Sequence, residues 1–123
     1  MFTLKKILLV DDDEDIRDLV ERTLMDAGFE VVSAESGEVC LGLMVQESPD
    51  MLLLDLIMPD MDGFEIMRAV RKSHPEVPVV VLSGYIEKET EEIIEGLGGA
   101  SFIRKPFSCN DLVTVVERAV QDG

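Results

Sequence analysis

Five short apolar runs alternating with five helical patterns predict an α/β domain, a parallel sheet covered by helices on both faces. Two further observations support this class. The runs are apolar at consecutive positions, as strands buried on both sides require, and four of them end in polar groups: Asp11-Asp12, Asp55, Ser83 and Lys105. In an open sheet of this kind, ligands bind in the crevice at the carboxyl ends of the strands.

Lys5 to Val10 is the first strand, rich in Leu and β-branched residues. Glu14 to Ala27 then carries Ile16, Leu19, Val20, Leu24 and Ala27 at helical spacing and stops at Gly28. Phe29 to Ser33 is the second strand, and Ser36 starts a helix whose apolar positions include Val39, Cys40, Leu43 and Met44, closed by Pro49. Met51 to Asp55 is the third strand. Asp62 with Glu65 makes a capping-box-like start to a helix carrying Phe64, Ile66, Met67 and Val70, with Pro75 and Pro78 at its exit. Val79 to Leu82 is the fourth strand, Ile86 to Leu97 a strongly acidic helix, and Gly98-Gly99 leads into a fifth strand near Ala100 to Arg104. Ser108 with Asp111 caps a final helix reaching about Val120.

The 123 residues suit one domain spanning 1–123, with no repeat, low-complexity tract or linker that would mark a boundary. A net charge of −15 argues against a nucleic-acid footprint, which needs clustered Lys and Arg. No apolar stretch approaches the roughly 20 residues of a membrane span, and Met1 to Lys6 lacks the apolar core of a signal peptide, so a cytoplasmic protein is expected. Cys40 and Cys109 stand far apart in sequence, outside any CxxC spacing, and read as reduced packing residues. His74 has no Cys or His partner and is given no role.

Each polar residue at the strand ends has an ordinary structural explanation when taken alone. Asp11 to Asp15 complement the positive end of a helix, Ser83-Gly84 is turn chemistry, and Lys105-Pro106 is a loop. Together they demand more. Carboxylates converging within a few ångströms repel by roughly 4 kcal/mol per pair at a protein-surface dielectric. Lys105 offsets one of the three charges of Asp11, Asp12 and Asp55, leaving two that a divalent cation would neutralise. Mg²⁺ fits best: it is a hard ion held by one or two carboxylates together with phosphoryl oxygens. Zinc would prefer Cys and His, and calcium a dedicated multi-oxygen loop. The set therefore suits holding or transferring a phosphoryl group, with Asp55 as nucleophile, Asp11 and Asp12 as metal ligands, and Lys105 and Ser83 on the phosphoryl oxygens.

Ile7-Leu8-Leu9-Val10-Asp11-Asp12, Asp55-Leu56-Ile57-Met58-Pro59-Asp60-Met61-Asp62-Gly63, Leu82-Ser83-Gly84-Tyr85 and Lys105-Pro106-Phe107 follow one another along essentially the whole chain. In kind, order and spacing they resemble the signatures of the receiver domain of bacterial two-component response regulators. That resemblance implies a flavodoxin-like (βα)5 three-layer sandwich with strand order 2-1-3-4-5. It also implies a phosphorylation-dependent switch in which Asp55 accepts a phosphoryl group from a histidine kinase or phosphotransfer protein. Asp11, Asp12, Asp55 and the backbone carbonyl of Ile57 would hold Mg²⁺, Lys105 would pair with the phosphoryl group, and Ser83 would hydrogen-bond it. Phe102 matches the aromatic switch position; where many relatives have Tyr, Phe102 signals by packing alone. Ile57 and Tyr85 match positions that tune phosphate lifetime, and apolar Ile57, unable to orient a water, suggests slow self-dephosphorylation. The face made by the fourth helix, fifth strand and fifth helix is the implied partner or dimer surface. Such a protein catalyses only its own phosphorylation and dephosphorylation.

Three other readings fit less well. A haloacid-dehalogenase-type phosphatase wants Asp-x-Asp at the end of the first strand and a cap insertion, whereas Asp55 is followed by Leu56-Ile57. A receiver-like interaction module that no longer takes phosphate would have lost Asp55, Lys105 or the Asp11-Asp12 pair, and all are kept. A nucleotide-binding domain wants GxxxxGK after a strand, which is absent. After the last helix only Gln121-Asp122-Gly123 remain, so the chain reads either as a stand-alone regulator or as a receiver from a larger hybrid kinase or transcription factor.

Overall fold

The computed structural model describes residues 4–56, 63–84, 88–96 and 101–122. Strands β1 (Lys6–Val10), β2 (Glu30–Ala34), β3 (Met51–Asp55), β4 (Val79–Ser83) and β5 (Ser101–Arg104) alternate with helices α1 (Glu14–Asp26), α2 (Gly37–Glu47), α3 (Gly63–Ser73), α4 (Lys88–Gly96) and α5 (Cys109–Asp122). The sheet is parallel throughout, in the order β2-β1-β3-β4-β5. The expected flavodoxin-like order is thus observed. Ser83 is the last residue of β4 rather than the first of the loop after it.

Every residue of β3 and β4 is buried, which is why their sequences are apolar without alternation. Successive side chains go to opposite faces. On one face Ile7, Leu9, Met51, Leu53, Val80, Leu82 and Ile103 meet α1 through Val20 and Leu24 and α5 through Leu112, Val116 and Ala119. On the other, Leu8, Val10, Leu52, Leu54, Val79 and Val81 meet α2 through Cys40 and Met44, α3 through Ile66, Met67 and Val70, and α4 through Ile94. The result is three layers with a core on each side of the sheet.

The helix ends follow the capping chemistry of the sequence. Asp13 caps α1, its side chain accepting from the backbone N–H of Asp15 and Ile16. At the other end Gly28 has φ +97°, its N–H donates to the carbonyl of Met25 and that of Phe29 to Leu24, both at 3.0 Å, which is a Schellman closure sealed by Phe29 in the core. Ser36 caps α2 through the N–H of Val39, and Ser108 caps α5 through that of Asp111. The end of α2 is less favourable, since Ser48 takes the left-handed conformation at φ 47° without being glycine.

Two expectations about cysteine separate. Cys40 is buried and burial pushes its thiol up to about 12, in keeping with a packing role. Cys109 is free but exposed at the head of α5, so it does not pack the core. The first turn of α5 carries Cys109 outward, so the thiol is free as expected but is not the packing residue the sequence reading made of it. Asp62, offered as a helix cap, lies outside the described residues, as do residues 57–61, 85–87 and 97–100.

Candidate functional site

Strand parity brings the site together. Asp11 continues the row Ile7, Leu9; Asp55 continues Met51, Leu53; and Lys105 follows Ile103, all on the face that packs against α1 and α5. β1 and β3 pair Leu9 with Leu53 and Val10 with Leu54, so one step further puts Asp11 beside Asp55 at the carboxyl edge. Asp12 joins them. Carboxylate oxygens of Asp11, Asp12 and Asp55 all lie within 4.8 Å of one another.

Asp11 is 0% exposed and Asp55 5%, whereas Asp12 is open to solvent. Lys105 reaches into this cluster, its Nζ 3.0 Å from Asp11 Oδ2 and 3.4 Å from Asp55 Oδ2. Burial alone would disfavour the ammonium, but the hydrogen bond to Asp11 and the charges of Asp55 and Asp11 outweigh it and hold its pKa above the ordinary lysine value. The other oxygen of Asp11, Oδ1, accepts the backbone N–H of Asp13 at 2.9 Å. One ammonium against three carboxylates leaves two negative charges in a crevice walled by apolar strands.

Ser83 arrives from the other face. It continues the row Val79, Val81, is fully buried, and is tied to Lys105, whose backbone N–H donates to the Ser83 carbonyl at 2.9 Å. Phe102 pairs with Val81 in the sheet and packs, half-buried, against that same core. The guanidinium of Arg104 lies 5.8 Å from the centroid of the Phe102 ring and 2.9 Å from a carboxylate oxygen of Glu91 on α4. Ile57 and Tyr85 lie outside the described residues.

The structure thus gathers Asp11, Asp12, Asp55 and Lys105 and sets Ser83 at the same edge, with Phe102 further down the sheet. Three contributors escaped the sequence reading. Arg17 on α1 donates from Nη1 to the backbone carbonyl of Asp11 at 2.8 Å. Arg104 is noted above. Gly63 closes the loop that leaves β3, its N–H donating to the Leu56 carbonyl at 3.2 Å, and a Cβ there would stand 2.6 Å from Leu56 Cα. The only signal for Gly63 was its place in the Asp55 to Gly63 motif; for Arg17 it was a lone cation soon after five consecutive acids.

The donor set fits a hard divalent cation, being all oxygen, clustered and anionic beyond what Lys105 balances. Among the described residues no helix is long and apolar enough to cross a membrane.

A family model described as the response regulator receiver domain matches residues 7–117. Regulatory protein AtoC of Escherichia coli is 32% identical over 121 residues, covering 98% of this chain and 26% of that protein. The nitrogen assimilation regulatory protein NtrX of Azorhizobium caulinodans is 36% identical over 117 residues, covering 94% of this chain and 26% of its own length. The chain therefore spans about a quarter of the length of these curated relatives. Among solved structures, chemotaxis protein CheY4 of Vibrio cholerae superposes with a TM-score of 0.91 at 32% identity, covering 95% of this chain and 99% of that one. The receiver domain of NtrX from Brucella abortus gives a TM-score of 0.90 at 37% identity, with the same coverage of 95% and 99%. Its sequence, its strand order and the acidic crevice at the end of its sheet place this chain in the response regulator receiver domain family, the signalling switches of two-component systems.

Proposed function

We propose that residues 1–123 form one receiver domain in which Asp55 accepts a phosphoryl group from the phosphohistidine of a histidine kinase or phosphotransfer protein. The observation that carries this reading is the Lys105 ammonium held between Asp11 and Asp55 in a buried acidic cluster. A carboxylate oxygen of Asp55 forms the new bond to phosphorus as the phosphorus–nitrogen bond breaks, and the departing imidazole keeps the electron pair and takes up a proton from solvent. Lys105, already fixed by Asp11, compensates charge on the phosphoryl oxygens, and the Ser83 hydroxyl donates to one of them from the opposite face.

Asp11, Asp12 and Asp55, with the backbone carbonyl of Ile57, are the residues that would hold Mg²⁺. When bound, the ion supplies positive charge against the transferring group and offsets the repulsion among the carboxylates. The domain performs no turnover on an outside substrate; its chemistry is confined to its own phosphorylation and hydrolysis. Apolar Ile57 implies a slow hydrolysis, because it offers no group to orient a water.

The readout runs through the other side of the sheet. Ser83, drawn toward the phosphoryl group, frees space for Phe102, whose neighbour Arg104 is joined to α4 by Glu91. The surface of α4, β5 and α5 is then the docking face for a downstream protein or a second phosphorylated copy. The acidic balance of the chain disfavours direct nucleic-acid binding by this domain, and the cytoplasm is where kinase and phosphodonor are met.

Incubation with Mg²⁺ and a small acyl phosphate, followed by intact mass measurement, tests the reading. Wild type gains one phosphoryl group, Asp55→Asn gains none, and chelator suppresses the gain. No gain in wild type leaves a protein-interaction module that does not take phosphate, and an equal gain in Asp55→Asn removes Asp55 as the acceptor.

A further inference from the structure

We infer that Arg17 is a positioning residue for the divalent cation: by clamping the backbone of the turn that carries Asp11 and Asp12, it sets the geometry in which those carboxylates converge. The inference rests on the Mg²⁺ reading of the acidic cluster and adds to it a residue outside the strand-end motifs.

The turn from β1 to α1 is an unfavourable place to hold still. Asp11, Asp12, Asp13, Glu14 and Asp15 follow one another there, and like charges at successive positions drive the backbone apart. Asp13 to Asp15 find use at the start of α1, Asp13 as its cap and the other two in its first turn, where the positive helix end favours them. Asp11 and Asp12 precede the cap, outside the first turn where the helix end acts most strongly, and depend on specific contacts to be held.

The contacts on Asp11 are directional. Oδ2 accepts Lys105 Nζ at 3.0 Å, Oδ1 accepts the Asp13 N–H at 2.9 Å, and the backbone carbonyl accepts Arg17 Nη1 at 2.8 Å. The first two fix the side chain. The third fixes the peptide plane between Asp11 and Asp12, and through it the direction in which the exposed Asp12 carboxylate leaves the chain. Arg17 can do this because its own backbone is anchored one helical turn in, its N–H donating to the Asp13 carbonyl at 3.0 Å, and because the residue is partly buried, with its guanidinium on the Asp11 carbonyl. A planar fork hydrogen-bonded to a carbonyl restricts orientation more than a flexible ammonium does. Partners one bond beyond the ligands typically change metal affinity by about 10- to 100-fold when removed.

Charge and position make opposite predictions here. Were Arg17 no more than a nearby cation, replacing it with a neutral residue would relieve its repulsion of Mg²⁺ and tighten binding. As a positioning residue, its loss weakens binding despite the removed charge. A contribution to stability alone would lower the melting temperature without metal and leave the affinity unchanged.

Isothermal titration of the purified 123-residue chain with MgCl₂, alongside thermal melts without metal, decides among these for wild type, Arg17→Gln and Arg17→Lys. Arg17→Gln is expected to bind Mg²⁺ about tenfold more weakly than wild type, and Arg17→Lys, which keeps the charge but loses the fork, to fall between them. Equal or tighter binding by Arg17→Gln overturns the inference, and so does undiminished affinity in Arg17→Lys, which carries the test by itself if Arg17→Gln does not fold. Wild type that shows no saturable binding overturns the Mg²⁺ site itself, whereas a wild type that binds beside an unaffected Arg17→Gln overturns the role of Arg17 alone.

Discussion

The backbone N–H of Lys105 donates to the carbonyl of Ser83 at 2.9 Å, so the cation of the acidic crevice and the hydroxyl at its far wall hang from one main-chain hydrogen bond. Lys105 is therefore placed by the end of β4 as well as by Asp11 and Asp55. Truncating its side chain in Lys105→Met leaves that bond intact and strips the ammonium from Asp11 Oδ2, which is fully buried. A loss of about 1–3 kcal/mol in chemical denaturation without metal is expected, with phosphoryl uptake reduced at least about tenfold.

The pH dependence of that loss follows from the raised Lys105 pKa. Its folded value lies above the ordinary 10.5, so its contribution is fully present below 10.5 and fades as pH rises through the folded value. The stability gap between wild type and Lys105→Met should be flat from about pH 7 to 9 and close only in stronger alkali. Urea midpoints of both proteins across this range check it, and a gap that closes near neutrality contradicts the ion-pair account.

Asp12 has the opposite balance. It is exposed, and it adds a third carboxylate within 4.8 Å of Asp11 and Asp55. Asp12→Asn should raise stability in metal-free buffer by about 1 kcal/mol, through relief of like-charge repulsion, and abolish most of the stabilisation that Mg²⁺ gives to wild type. Thermal melts with and without Mg²⁺ read both effects.

Gly63 admits no side chain, because a Cβ would stand 2.6 Å from Leu56 Cα and 2.7 Å from its carbonyl oxygen. Gly63→Ala must push α3 away from the end of β3, with an expected loss of about 1–3 kcal/mol. Ile57, the proposed carbonyl ligand, lies in sequence between Leu56 and Gly63, so on that proposal phosphoryl uptake by mass should fall further than the stability loss alone accounts for.

Ser48 holds a left-handed conformation at the end of α2, next to Glu47, which pairs with Lys6 at the start of β1, the opposite end of that strand from Asp11. Ser48→Gly should stabilise the domain by about 0.5–1 kcal/mol, since glycine adopts φ 47° without a Cβ clash. Phosphoryl uptake should be unchanged, and a decrease would indicate an unforeseen link between α2 and the site.

The architecture was legible because burial on both faces writes itself into β3 and β4 as unbroken apolar runs, and because caps at Ser36 and Ser108 are local chemistry. The cluster of Asp11, Asp55 and Lys105 was legible for a related reason: polar residues that end apolar strands must collect at one edge of a parallel sheet. Arg17 and Gly63 were not. The value of Arg17 lies in a carbonyl six residues back, and that of Gly63 in a backbone it nearly touches, neither of which leaves a periodic trace. Cys109 was misplaced because helical spacing identifies a helix more readily than it identifies which side of the first turn faces inward.

The odd-numbered rows that end in Asp11, Asp55 and Lys105 face α1 and α5, while Ser83 and Phe102 belong to the side that faces α2, α3 and α4. On the proposed reading the sheet is a bulkhead, with the chemistry mounted on one side and its gauge on the other. A molecule reading Phe102 and Arg104 need never approach the phosphoryl group, and a phosphodonor can leave without disturbing whatever is docked there. On the proposed reading, phosphodonor and reader meet different parts of the surface, with α5 alone bordering both, and the domain can be charged while a partner sits on α4 and β5.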